Sequence, residues 1–557
     1  MSLSDLLAKD PLSRIPRTSN NEVRYLTFNV NGIKTLFNYY PWNQLQNDHD
    51  ALFEALGADI VSLQELKING DGLAATGVLK KYKAFISIPK SRKGYSGVGL
   101  FVRIPVSTDP PHVQTCLSVV KAEEGITGTL QNPEDKSQTY EDAEDGIGGY
   151  MDIEDIEEMN MTIEDLRALD SEGRAAVVEL ASGTVVFSLY CPANSSGTEQ
   201  GQIFRLRFLK VLLRRCLKLK RSGKEVIVMG DINVSLDLID QAEAINEGIK
   251  AKLVTNNLKD GGEEFERVNE EPCLAFKLGP QRGLLQKYVI PTNPYTKPLD
   301  ISFLHDTTRV VQGRRLAMYT VWNTMTNARQ SNYGSRIDLI LASCQKTVDN
   351  IARADILPYI KGSDHCPVFT DIDVSFVTKQ PPAEQKKHKF EARTFYKLVK
   401  HRDISSMFGG SGTKRSATPE SDKKDSENKD PKKPKLQYVS RKKSNNAPSS
   451  QHSIKNFFFQ DKPTVSSDKE EEIPTQEDPP STENTVKLDS ISKLTSLIYS
   501  DPPKCRHGEE CILKTSLTNA TKGKKFWCCP RTSKGSSTEL GEHRCEYFEW
   551  AKTKGKA

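Results

Sequence analysis

No apolar run in this 557-residue chain approaches the roughly 18–20 residues that a membrane-spanning helix needs. The N-terminus lacks a cationic start followed by an apolar core, so no secretory signal is expected. A disulfide framework is missing too. Of eleven cysteines, six are scattered singly through the first 366 residues, which suits a reduced compartment. There is no long internal repeat, and the net charge of +5 is too small to name a partner. Large apolar residues are scarce over 377–500, where Ser, Lys, Glu, Asp, Pro and Asn dominate. Such a segment cannot bury enough surface to offset its chain entropy, so a disordered linker is expected there. What remains is a soluble, intracellular chain too long for one core, with compact units on both sides of a polar tether.

Residues 1–22 read as a loose arm and 23–376 as an α/β domain. Strand candidates are 24–30, 59–64, 84–88, 97–103, 175–180, 184–191, 225–230, 336–342 and 367–374. They are short runs of Val, Ile, Leu and Phe between Gly and Asn turns. A helix is expected over 202–220, where Phe204, Phe208, Leu212 and Leu219 fall at helical spacing and Gly223 follows as a stop. Two β-sheets flanked by helices fit this mixture. The stretch 131–172 holds fifteen acidic residues against two basic ones. It is expected to be an inserted, solvated loop held away from any phosphate site.

Several of the apolar runs end in, or adjoin, a polar motif: "LTFNVNGIK" (26–34), "IVSLQELK" (60–67), "VFSLYCPANS" (186–195), "VIVMGDINV" (226–234), "SRIDLILAS" (335–343) and "KGSDHCPV" (361–368). Together they offer Asn, Glu, Tyr, Asp and His, an inventory for metal-assisted attack of water on a phosphodiester. That reaction needs a divalent cation, a group that orients water, and donors to the phosphate oxygens. Glu65, at a strand end, is placed as a ligand for a hard cation such as Mg²⁺. Asp231 and Asn233, two apart at a strand end, share a face. Asp338 between apolar residues needs a partner, and His365 would serve, as an imidazolium facing phosphate.

Taken together, "FNVNGIK", "LQELK", "GYSGVGLF", "GDIN", "SRIDLIL" and "GSDHCPV" resemble the exonuclease III class of apurinic/apyrimidinic (AP) endonucleases. That class lies within the endonuclease/exonuclease/phosphatase superfamily. The resemblance covers about 23–376 and implies a four-layered α/β sandwich. It also implies 5′ incision of double-stranded DNA at abasic sites, with 3′-phosphodiesterase and 3′→5′ exonuclease activity at blocked or recessed 3′ ends. Residue by residue it makes Glu65 the principal Mg²⁺ ligand, with Mn²⁺ as a substitute and with Asn31 and Asp364 near the metal or its waters. Asp231 would align the attacking water, helped by Asn29. Asn233 and His365 would hold the scissile phosphate, Asp338 would orient His365, Tyr190 would bring a phenol or phenolate near the phosphate, and Lys67 would help neutralise charge. Two departures stand out. Asn31 replaces an Asp of many class members, removing one negative charge from the metal site. Ser335 stands where the first class members carry a Trp, which implies a more open sugar pocket and favours 3′-end trimming. Trp322 and Met325 are the remaining apolar pocket candidates. The "YGSRID" form is similar to the second, eukaryotic subfamily, of fungal type. A phosphatase of the same superfamily and a non-catalytic, clamp-bound scaffold are the alternatives.

Within the linker, "QHSIKNFF" (451–458) resembles the motif that binds the sliding clamp PCNA, through Gln451, Ile454, Phe457 and Phe458. The remaining five cysteines crowd into 505–545. This small module could not hold itself by apolar burial, so Zn²⁺ is expected to stabilise it. The module (501–557) resembles the GRF-type zinc finger. That match implies ligands Cys505, His507, Cys529 and Cys545, with Cys528 a rival to Cys529 and Cys511 outside the set. Lys522, Lys524, Lys525 and Arg531 lie near Phe526, Trp527 and Phe548, a composition that suits single-stranded DNA. Phe526 and Trp550 are expected in the miniature core. Basic clusters at 432–435 and 441–443 are consistent with nuclear import.

Overall fold

The computed structural model describes residues 16–90, 94–195, 197–293, 295–398, 502–515, 524–531 and 545–551. The clamp-motif residues Gln451, Ile454, Phe457 and Phe458, and Lys522, lie outside them. Strands β1 (Glu22–Asn29), β2 (Ile60–Gln64), β3 (Tyr82–Ser87) and β4 (Val98–Arg103) come first. Next are β5 (Val119–Glu124), β6 (Ala175–Leu180), β7 (Thr184–Tyr190) and β8 (Glu225–Asp231). Short strands β9 (His305–Asp306), β10 (Val321–Trp322) and β11 (Gly334–Ser335) precede β12 (Asp338–Ala342), β13 (Ile351–Ile356) and β14 (Val368–Asp373).

Two six-stranded sheets form, in the orders β13-β14-β1-β2-β4-β3 and β5-β6-β7-β8-β12-β9. Strand alternation sends successive side chains to opposite faces, and that alternation builds the layers. Tyr25, Leu100 and Val102 face Val178, Val186, Met229 and Ile340 in a core between the sheets. Their neighbours Leu26 and Phe101 turn outward and pack with Leu52 and Phe53 of the helix His49–Ala55. On the second sheet Val177, Phe187 and Val228 turn outward against Phe208, Leu212 and Leu219 of the helix Glu199–Arg221. The result is a helix–sheet–sheet–helix sandwich. That long helix starts where the Thr198 side chain accepts from the Gly201 N–H.

Three expectations are corrected. Strands β5 and β13 were not anticipated; charged residues interrupt them, and each carries a register shift against its neighbour. The acidic stretch is folded rather than a solvated loop. Capping boxes open helices Ile153–Glu158 and Ile163–Leu169, and Met151, Met159, Met161, Leu166 and Leu169 enter the core. Its acids meet the basic face of the long helix, with Asp155 at 2.6 Å from both Arg214 and Lys218 and Asp165 at 2.5 Å from Arg207. Finally, the domain does not stop at 376: Phe390 and Ala392 are buried, and the Tyr396 hydroxyl donates to the Ile86 carbonyl at 2.9 Å.

The C-terminal module is a three-stranded antiparallel sheet of β15 (Ile512–Thr515), β16 (Lys525–Cys528) and β17 (Phe548–Trp550). Among the described residues no helix is long and apolar enough to cross a membrane.

Candidate active site

Sheet register gathers the predicted residues at one end of the sandwich. Strands β1 and β2 run parallel, as do β7 and β8, so Asn29, Gln64, Tyr190 and Asp231 end together in pairs. Strand β12 runs against β8 with Asp338 opposite Asp231. The approach is tight: Gly230 has φ +151°, and a Cβ there would lie 2.0 Å from the Leu189 carbonyl oxygen, so only glycine fits before Asp231. Four of the predicted residues, Asn31, Glu65, Lys67 and Asn233, have φ between 46° and 57°. For Glu65 and Lys67 this left-handed backbone is uncommon, and such outliers concentrate where function constrains the chain.

Asn29 is the hinge of the cluster. Its Nδ2 donates to Glu65 Oε1 at 2.9 Å and to Asp231 Oδ2 at 3.0 Å, while its Oδ1 accepts from the Asn31 N–H. Lys67 Nζ lies 2.7 Å from Glu65 Oε2 and 2.5 Å from Asn31 Oδ1. Asn31 Nδ2 in turn donates to Asp364 Oδ1 at 3.0 Å. Burial pushes the Glu65 carboxyl up, but hydrogen bonds from Lys67 and Asn29, the lysine charge and the Tyr190 hydroxyl outweigh it and hold the group below its ordinary value. Two hard oxygens, from Glu65 and Asn31, thus converge on one cationic point with Asp364 alongside. This donor set fits Mg²⁺.

The other half is a buried triad. His365 Nδ1 bonds Asp338 Oδ2 at 2.8 Å, and its Nε2 lies 4.0 Å from Asp231 Oδ2. Burial alone would lower the imidazole, yet the charge and hydrogen bond of Asp338, then Asp231 and Asp364, raise it to about 10. Asp231 is pushed up to about 7 by burial and by Asp338, against His365, Asn29 and the Asn233 N–H. Ligand atoms of Asp231, Asp338 and His365 lie within 4.8 Å of one another. With its Nδ1 bonded to Asp338, the imidazole leaves Nε2 facing Asp231, an arrangement that can hold or move a proton. Asn233 donates from Nδ2 to the Cys191 carbonyl at 2.8 Å, and its N–H donates to Asp231 Oδ1 at 2.9 Å. Burial, Glu65 and Asp231 push the Tyr190 hydroxyl far up, which favours the phenol. Arg174 lies over its ring at 5.0 Å.

Sequence reasoning missed Thr320 and Arg329. The Thr320 hydroxyl donates to Asp338 Oδ2 at 2.6 Å; it sits unmarked in an apolar run. Arg329 donates to the carbonyls of Pro358, Ile360, Ser363 and His365, and so clamps the turn that bears Asp364 and His365. Trp322 is buried beneath Arg329 as a core residue, and Met325 is 83% exposed at the surface.

In the C-terminal module, ligand atoms of Cys505, His507, Cys529 and Cys545 lie within 4.8 Å of one another. His507 Nδ1 is 3.6 Å from Cys505 Sγ and 3.4 Å from Cys529 Sγ. Tetrahedral zinc, with bonds of about 2.0–2.3 Å, has ligand–ligand edges of about 3.5 Å, so the four residues fit it. Strand alternation favours Cys529 over the adjacent Cys528: Trp527 and Cys529 join the cysteine cluster, and Cys528 does not. The expected core is corrected. Trp527 is buried, while Phe548 and Trp550 are 52% and 38% exposed and Phe526 is half-buried. These three rings contact one another at 4.8–6.0 Å, and Lys524 Nζ lies 5.9 Å from the Trp550 ring. Lys525 is half-buried on the same strand, and Arg531 is ion-paired with Glu509 at 2.6 Å.

Comparison with known proteins gives matching results for both units. The profile of the Endonuclease/Exonuclease/phosphatase family matches residues 26–365, and that of the GRF zinc finger matches 503–554. The chain is 40% identical over 541 residues to DNA-(apurinic or apyrimidinic site) endonuclease 2 of Saccharomyces cerevisiae, covering 96% of this chain and 98% of that protein. The protein of the same description from Schizosaccharomyces pombe is 30% identical, with coverage of 64% and 59%. The crystal structure of the Xenopus laevis APE2 catalytic domain aligns with a TM-score of 0.48 at 25% identity, covering 67% of this chain and 97% of that one.

Proposed function

The chain belongs to the endonuclease/exonuclease/phosphatase family, with a GRF zinc finger at its C-terminal end, and from that premise we propose that it is a DNA repair nuclease. It incises DNA at abasic sites and clears blocked or recessed 3′ ends. The observation that carries this reading is the single Asn29 amide bonded to both Glu65 and Asp231. It fixes a cation-binding carboxylate on one side of a phosphate position and a water-accepting carboxylate on the other.

Glu65, Asn31 and Asp364 would hold Mg²⁺, with Mn²⁺ as a substitute. The ion supplies neutralisation of the phosphate and of the leaving oxygen. Asp231, fixed by Asn29 and the Asn233 N–H, accepts a proton from the attacking water. The imidazolium of His365, kept charged by Asp338, and the Asn233 amide donate to the non-bridging oxygens as charge grows. The Tyr190 phenol donates at the same edge, and Lys67 offsets the charge of Glu65. Ser335 presents no aromatic wall and Trp322 is sealed in the core, so the sugar pocket is open. This favours 3′-phosphodiesterase and 3′→5′ exonuclease work over selection of an internal abasic sugar.

Zn²⁺ on Cys505, His507, Cys529 and Cys545 organises the C-terminal module. The patch of Phe526, Phe548 and Trp550 beside Lys524 and Lys525 binds single-stranded DNA by stacking and phosphate attraction. The 451–458 peptide recruits the protein to PCNA, and the site of action is the nucleus.

The test compares two duplexes, one with an internal abasic-site analogue and one with a recessed 3′-phosphoglycolate end, in Mg²⁺ and in EDTA. Faster Mg²⁺-dependent cleaning of the 3′ end, lost in Glu65→Ala, is expected. Faster abasic incision would refute the open-pocket argument. Cleavage of neither duplex would favour a scaffold.

A further inference from the structure

The turn after Asp231 is held by two arginines that have no carboxylate partner among the described residues. Arg205, on the helix Glu199–Arg221, donates from Nη2 to the Asn233 carbonyl; its Nε is buried without an acceptor. Arg282 lies on the helix Pro280–Tyr288, which packs against the first. It donates from Nε to the Ser235 carbonyl at 3.1 Å and from Nη2 to Gln241 Oε1 at 3.2 Å, and it reaches the Phe276 carbonyl at 3.5 Å. Its guanidinium carbon stands 3.6 Å from the centre of the Phe276 ring.

Other arginines sunk into this domain are neutralised. Arg24 meets Asp371 at 2.6 Å, Arg215 meets Glu123 at 2.6 Å and Arg336 meets Asp306 at 2.7 Å. Arg329, which has no carboxylate either, gives both terminal nitrogens to four carbonyls. Arg205 and Arg282 differ in lying close enough to repel. Burial and the Arg205 charge lower the Arg282 guanidinium to about 10, and burial lowers Arg205 as well. A guanidinium stays charged at neutral pH; Arg205 has the Asp231 charge nearby but no ion pair with it, and Arg282 has no counter-charge among the described residues, so holding the two half-buried like charges together is unfavourable. An arriving phosphodiester would relieve that repulsion, and its oxygens match the guanidinium fork.

We propose that Arg205 and Arg282 form a second anion site that takes a backbone phosphate next to the cleaved one on the bound strand. The proposal rests on the nuclease reading above. The placement follows from Arg205, which bonds the residue assigned to the scissile phosphate, and from Arg282, which bonds the residue two further along the same turn. The pair therefore sets where the strand lies relative to Asp231, a task separate from the chemistry.

The test uses the full chain and Arg282→Gln, whose amide can still donate to the Ser235 carbonyl, with Arg282→Lys as the charge-retaining control. On a short abasic duplex, Arg282→Gln is expected to raise KM about 10-fold, the size of one charge-assisted hydrogen bond, while kcat stays within about twofold. The slope of log(kcat/KM) against log[salt] should shrink by about 0.9, as for one lost phosphate contact. Arg282→Lys should restore most of both. Inorganic phosphate should raise the melting temperature of the wild type and not of Arg282→Gln. A loss confined to kcat with an unchanged salt slope would make the pair a mere support for the turn, and no change in any readout would also overturn the site. If the wild type cleaves no DNA, the nuclease reading fails, and the phosphate-dependent melting alone decides whether the anion site exists.

Discussion

Asp338→Asn isolates the charge that keeps His365 an imidazolium. The substitution preserves shape and leaves an acceptor for the Thr320 hydroxyl and the His365 ring, now bonded at 2.6 Å and 2.8 Å. What it removes is the main influence that raises His365 from 6.5 to about 10. At ~1.36 kcal/mol per pH unit, that rise represents ~5 kcal/mol of preference for the charged ring. With the carboxylate gone, burial pulls the other way against only the weaker charges of Asp231 and Asp364, so the imidazole of the variant is expected to be neutral at pH 8. The scissile phosphate then loses a charged donor, a loss of about 10²–10³-fold in rate. The assay is single-turnover cleavage of an abasic duplex by both proteins at each half pH unit from 5.5 to 9. Taking the ratio at each pH removes any titration the two proteins share. The ratio of variant to wild type should be lowest near pH 8–9 and climb toward one below about pH 6, where the ring protonates again. A ratio that is flat across the range, or close to one at pH 8, would refute the reasoning.

Further outcomes follow from the same geometry. Cleavage by the wild type should rise with pH through about 7 as Asp231, raised by burial and Asp338, gives up its proton; a rate constant from pH 5.5 to 8 contradicts its role as acceptor. Because the folded-state value of His365 lies above its unfolded 6.5, its stabilisation is complete below pH 6.5 and fades as pH rises through about 10. The melting temperature of Asp338→Asn should therefore vary less than that of the wild type between pH 6.5 and 9.5. Asp240→Ala leaves the buried Arg309 and Arg336 without the carboxylate they share and should destabilise the domain by ~3–5 kcal/mol in urea titrations. Zinc content measured by atomic absorption should fall in Cys505→Ser and Cys529→Ser and persist in Cys511→Ser and Cys528→Ser, reversing if the strand parity argument is wrong.

The elements that sequence reading found are those whose local signal agrees with their final environment. Strands β7, β8 and β12 are buried on both faces and read as nearly continuous apolar runs. The polar residues ending them are conspicuous because nothing in those runs needs them. The misses share a cause, which is that the partner lies far away in sequence. Acids in 131–172 suggest solvation until Arg207, Arg214 and Lys218 are seen across from them. Phe390 and Tyr396 are too widely spaced in polar sequence to announce a docked tail. Strand β5 carries Lys121, Glu123 and Glu124, whose charges conceal a strand that forms a sheet edge. In the finger, the order of aromatics was plain, but which ones face the cysteines depends on strand parity. Trp527 turns inward and its neighbour Phe526 does not.

The central claim is that Asp231, tied through Asn29 to Glu65, handles the proton of the attacking water. It is tested most directly by single-turnover scission of an abasic duplex in Mg²⁺ by the wild type and by Asp231→Asn, with duplex affinity measured in parallel. The account predicts a rate at least about 10³-fold lower with affinity unchanged within a few-fold, since an amide keeps the hydrogen bonds and cannot take the proton. A variant that cleaves within about tenfold of the wild type would contradict it.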